Sequence, residues 1–154
     1  MLYNILTWFE ITRIALPGGF RARIWELSMT DSNDTPVNAL KLSDLAQFTG
    51  SENWHRHGLN RNVLFTDGAK YVADTADAYW LLDEIAVSQL CKVVSAEEFQ
   101  VWKLRVQADH SAELICEDGN DKVVFTKKIP FTDFPLDEFA LYFRDNVIFL
   151  PNEN

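Results

Sequence analysis

The chain has 154 residues, with 23 Asp and Glu against 14 Lys and Arg and a formal net charge of −9. That length suits one domain of ordinary size, and a 47% hydrophobic content is too high for a disordered chain. Two cysteines exclude a disulfide scaffold and a four-cysteine zinc site, the surplus of acid argues against non-specific nucleic-acid binding, and no run of 18 apolar residues offers a membrane span.

Residues 1–28 differ from the remainder. They carry three arginines against two glutamates, so the other 126 residues hold a net charge of −10. Leu2, Ile5, Leu6 and Phe9 begin a helical stripe that Leu16-Pro17-Gly18-Gly19 interrupts. Trp25-Glu26 forces UGGGAR in the message, a purine-rich run at ribosome-binding distance from the AUG of Met29. Met29 is therefore expected as the natural start, with residues 1–36 an extension or flexible leader and residues 37–151 a single domain; the competing reading of 1–28 is a helix docked on the body.

Residues 37–49 read as a short helix with an apolar face of Leu40, Leu42, Leu45, Ala46 and Phe48, stopped at Gly50. Ser51 to Asn60 is polar. Val63–Thr66 and Lys70–Ala73 flank Asp67-Gly68, which predicts a hairpin. A helix over 77–92 follows, with Asp77 as N-cap and Tyr79, Leu82, Ile85, Ala86 and Leu90 on one face. Ser95-Ala96-Glu97-Glu98 has the form of a capping box. Trp102, Leu104 and Val106 then alternate with Lys103 and Arg105 as in a half-buried strand. Residues 113–116 and 122–126 predict a second hairpin across Glu117–Asp121. Asp133 and Pro135 open a last predicted helix through Arg144, and Val147–Leu150 is a final strand. The order α-β-β-α-β-β-β-α-β predicts an α+β fold: a mixed or antiparallel sheet of five to six strands with two to three packed helices.

Phe48-Thr49-Gly50, Thr66-Asp67-Gly68, Ala78-Tyr79-Trp80-Leu81-Leu82-Asp83, Phe99-Gln100-Val101-Trp102, Asp118-Gly119-Asn120 and Thr132-Asp133-Phe134-Pro135 together resemble an uncharacterised family of bacterial proteins, a domain of unknown function met in cyanobacteria, other bacteria and mobile elements. The resemblance covers roughly residues 40–151. It implies a fold and its boundaries but carries no activity.

Two clusters draw attention for chemistry. His55 and His57 share a face if Trp54–His57 is extended, so two imidazoles could approach one metal or reactive centre, with Asp67 or Asp74 as the carboxylate. The bland alternative is a solvated loop with Trp54 anchored in the core and Arg56 free, and no metal is expected. Lys103, Arg105, Lys127 and Lys128 could share one sheet face, as an anion site or as a solvated surface with acidic partners.

The other features read as structure. His110 suits a turn. Cys91 and Cys116 are expected to be buried small hydrophobes. The neighbouring carboxylates Asp83/Glu84, Glu97/Glu98, Glu117/Asp118 and Asp137/Glu138 point apart and make poor acid/base pairs. Asp118–Asp121 lacks the later bidentate Glu of a calcium loop, and no phosphate-binding glycine loop is present.

Phe131, Phe134, Phe139, Tyr142, Phe143 and Phe149 crowd 19 residues, which raises a homodimer or a partner groove. The function expected is that of a small acidic, cytoplasmic, non-enzymatic binding protein without a cofactor, with an unknown protein partner or a second copy of itself. Trp54, Arg56, Lys103 and Arg105 are the candidate binding residues. The alternative is a metal-dependent or acid/base enzyme centred on Trp54–His57, with His55, His57 and Asp67 in the chemistry.

Overall fold

The computed structural model describes residues 40–154. The leader, the proposed start at Met29 and the first residues of the 37–49 helix lie outside the described residues.

The elements run α1 (Leu42–Leu45), β1 (Trp54–Arg56), β2 (Leu64–Thr66), α2 (Asp67–Thr75), α3 (Tyr79–Ser88), α4 (Lys92–Ser95), β3 (Phe99–Val106), β4 (Ala112–Glu117), β5 (Val123–Ile129), β6 (Glu138–Arg144), β7 (Val147–Phe149) and a closing 3-10 turn (Pro151–Glu153). The strands form one mixed sheet in the order β1-β2-β7-β6-β3-β4-β5. Among the described residues only β2 and β7 run parallel. The fold is α+β as expected, but the described residues hold seven strands and four helices, two of them a single turn.

Alternation sets which face is covered. Gln100, Trp102 and Leu104 of β3, Phe139, Leu141 and Phe143 of β6, and Leu114 and Cys116 of β4 are buried. Ala69, Val72 and Ala73 of α2 and Leu81, Leu82, Ile85 and Ala86 of α3 join them in the core. The buried Gln100 amide is fully engaged. It accepts from Trp102 Nε1 at 2.9 Å and donates to Gln89 Oε1 and the Val94 carbonyl, tying β3 to the helical layer.

Four local expectations are overturned. Asp67-Gly68 is not a hairpin turn but the first turn of α2: Thr66 is extended and its hydroxyl accepts from the Ala69 amide. The Thr66 cap and the core-facing spacing of Ala69, Val72 and Ala73 favour a helix where a second strand is expected. Gly68 packs closely there: a Cβ would lie 2.6 Å from Leu150 Cδ1 and 2.7 Å from Glu153 Oε2, so a side chain would have to push both aside. Asp77 is not an N-cap; with φ +49° it closes α2, and Ala78 N–H returns to the Ala73 carbonyl at 2.9 Å.

The last predicted helix is β6. Phe139, Leu141 and Phe143 alternate with Ala140, Tyr142 and Arg144, and the segment pairs with β3 along its whole length. Thr132, which resembled the start of that helix, instead closes a local turn by accepting from the Phe134 amide. Asp145 and Asn146, both at positive φ, form the two-residue loop from β6 into β7.

Within residues 40–49 the predicted helix is confined to α1. Ser95 ends α4 rather than capping a new helix, because Phe99 onward joins the sheet. The β4–β5 hairpin stands as expected, with Asp118 Oδ1 accepting from the Asn120 and Lys122 amides.

Candidate functional site

Among the described residues β1 is an edge strand, and its alternation divides the candidate residues. His55 pairs with Phe65 and stacks on its ring, on the side covered by α2. His55 Nε2 lies 2.7 Å from Asp67 Oδ1, and Asp67 Oδ2 accepts from the Asn53 amide and side chain. The His55 hydrogen bond is the main cause holding the Asp67 carboxyl below its ordinary value, aided by Asn53. His55 Nδ1 has no hydrogen-bond partner among the described residues.

His57 is spent differently. It is buried; its Nδ1 accepts from the Asn60 amide at 3.1 Å, so Nε2 carries the proton donated to Asp83 Oδ1 at 2.8 Å. Both nitrogens are used within the protein. The two histidines therefore serve separate carboxylates on α2 and α3, and no group of three His, Cys, Asp or Glu able to hold a metal occurs among the described residues. The His55–Asp67 pair can orient an imidazole to accept a proton at Nδ1.

The opposite face carries the other candidates. Strand register places Trp54, Arg56, Arg144, Lys103 and Arg105 on one side of the sheet, together with Phe99, Tyr142, Val147 and Phe149. Trp54 is 63% exposed, so it does not anchor a loop in the core. It borders an open cavity of about 330 Å³ with Ser51, Thr66, Arg144, Asp145, Val147, Phe149 and Glu153. The Arg144 guanidinium lies 5.7 Å from the centre of the Phe149 ring.

The floor of this cavity is stitched by Glu153. Its Oε1 accepts from Ser51 Oγ at 2.7 Å, and its Oε2 from Thr66 Oγ1 at 2.6 Å and the Leu150 amide at 2.9 Å. Ser51 Oγ in turn accepts from the Asp67 amide.

On the strands of this face five bases, Arg56, Lys103, Arg105, Lys128 and Arg144, stand among three acids, Glu113, Glu117 and Glu138, and Asp121 beside Lys103 with Asp145 and Glu153 at the cavity bring the acids to six. Lys103 meets Glu117 at 2.5 Å, which raises the lysine above its ordinary value, and Arg105 lies 3.6 Å from Glu138. Among the described residues Arg56 donates to the Arg61 carbonyl and pairs with no acid, and Arg144 pairs with its exposed neighbour Asp145 at 3.8 Å. Lys127 does not belong to the group: it lies on the other face, 2.6 Å from Glu84 of α3.

The remaining candidates fall into structural places. His110 sits at φ +63° in the β3–β4 turn. Cys116 is buried, whereas Cys91, expected buried, is exposed ahead of α4. Of the crowded aromatics, Phe134, Phe139, Phe143 and Phe149 are buried and Phe131 is exposed. No described helix is long and apolar enough to cross a membrane.

Sequence reasoning missed Asp83, Arg144, Phe149, Ser51 and Glu153. Only Arg144 and Phe149 left a signal: they flank the loop pair Asp145-Asn146 in alternating strands.

No curated protein and no solved structure matched the chain. A family profile did, over residues 39–154, and the chain belongs to the family of unknown function DUF6876.

Proposed function

We propose that this protein is a non-enzymatic binding module that holds an acidic, extended segment of a partner protein on the sheet face opposite α2 and α3. The observation that carries the reading is the exposed Trp54 beside the Arg144 cavity, on a face where Arg56 has no carboxylate partner among the described residues. An exposed indole supplies large contact area at low entropic cost, and Arg is suited to carboxylate recognition. A peptide is favoured over nucleic acid because six carboxylates lie on or beside the face and the chain as a whole repels phosphate. Binding is favoured over catalysis because the His55–Asp67 pair lies on the other face, with Phe65 beneath the imidazole.

Panning a random displayed-peptide library on the protein tests this. The expected outcome is enrichment of sequences that combine Asp or Glu with an apolar residue, and loss of their binding in Trp54→Ala and Arg144→Glu. Basic or random selected sequences, binding that survives both substitutions, or a preference for single-stranded oligonucleotides would contradict it.

A further inference from the structure

The backbone of β1 has a definite polarity toward its open side. His57 N–H reaches the Val63 carbonyl at 3.0 Å, and the register continues as His55 opposite Phe65. In an antiparallel ladder hydrogen-bonded pairs alternate with non-bonded ones. His55 therefore turns its N–H and C=O toward β2, while Trp54 and Arg56 turn theirs away from it. The partner strand agrees: Leu64, opposite Arg56, sends its N–H to Asn146 on the far side at 2.8 Å. Among the described residues β1 is the sheet edge, so two backbone donors and two acceptors face outward beside the exposed side chains of Trp54 and Arg56. The other edge is guarded, with Lys127 and Lys128 on β5 and an irregularity at Cys116/Glu117 in its pairing.

Resting on the binding reading above, we propose that the partner segment docks by antiparallel strand addition to β1. It would place an apolar side chain against Trp54 and, two residues away, a carboxylate against Arg56. Main-chain bonds hold such a strand, and alternate side chains give selectivity. The charge of Arg56 selects the acid, and its lack of a carboxylate partner among the described residues leaves it available.

The probe is a blocked peptide, Thr-Glu-Thr-Val-Thr-Glu-Thr, which presents acid, apolar and acid at alternate positions in either direction. Titration by calorimetry compares it with two versions, one N-methylated at the valine and one at the threonine that follows it. The valine faces Trp54 in a hydrogen-bonded pair, so its methylation is expected to weaken binding about five- to ten-fold. The threonine amide points away, and its methylation is expected to leave affinity within about two-fold. Arg56→Glu is expected to abolish binding.

Equal effects of the two methylations overturn strand addition. If Trp54→Ala and Arg144→Glu still weaken the peptide in that case, the open-face reading survives without it. No binding of the probe, or concentration-dependent dimerisation through β1, overturns the inference, and the library selection then decides the broader reading separately.

Discussion

The buried imidazole of His57 lies 2.8 Å from the carboxylate of Asp83, joining the segment that follows β1 to the middle of α3. Because its other nitrogen accepts from the Asn60 amide, this histidine bridges loop and helix through both ring nitrogens. His57→Ala should leave a partly buried donor unpaired and open a cavity, lowering unfolding free energy by about 1–3 kcal/mol. Urea denaturation measures this; unchanged stability would show that the bridge contributes nothing.

Gly68 and Gly50 should respond oppositely to alanine. A Cβ at Gly68 meets Leu150 and Glu153 at under 3 Å, whereas one at Gly50 meets nothing within 4 Å. Gly68→Ala is expected to destabilise by about 1–3 kcal/mol. Gly50→Ala is expected to be neutral or stabilising by up to about 1 kcal/mol, through the unfolded chain. Thermal melts of the two variants check the sign of each.

The thiols should differ in reactivity. Burial, with the charges of Glu97 and Glu117 behind it, pushes the Cys116 thiol up to about 12, while Cys91 is exposed. A disulfide reagent at about pH 8 should titrate one thiol in the folded protein and both in denaturant, because only a thiolate attacks. Rapid modification of Cys116 in the folded state would contradict the packing.

The acid limb of stability should depend on Asp67. Its folded value lies below the ordinary 3.8, first through the His55 bond. Such a group adds stability above its unfolded value and loses it as pH falls through the folded one. Asp67→Asn should therefore flatten the fall in stability below about pH 4, with little change of slope above it. Midpoint denaturant concentrations measured from pH 6 down to pH 2 test this.

The local hairpin of β4 and β5 was legible because its alternation and its Asp118 turn lie within a dozen residues. Helix α3 was legible from its apolar face. The errors came where a local signal served two structures. Thr66-Asp67-Gly68 suits a turn and also a helix start; the spacing of Ala69, Val72 and Ala73 favours the helix. The segment 138–144 looked helical from its leading Asp and Pro, but seven pairings with β3 outweigh that preference. At the site, Asp67 beside His55 was found because it is close in sequence and chemically suited. Asp83 and Glu153 were not, since only tertiary packing brings them to His57 and Thr66.

The most direct measurement is a titration of the full chain with Thr-Glu-Thr-Val-Thr-Glu-Thr, followed by amide and indole nitrogen–proton correlation NMR. The account predicts that the largest shifts fall on the Trp54 indole and on the amides of Trp54–Arg56, with α3 unmoved. Shifts centred on α2 and α3, or none at saturating peptide, would contradict it.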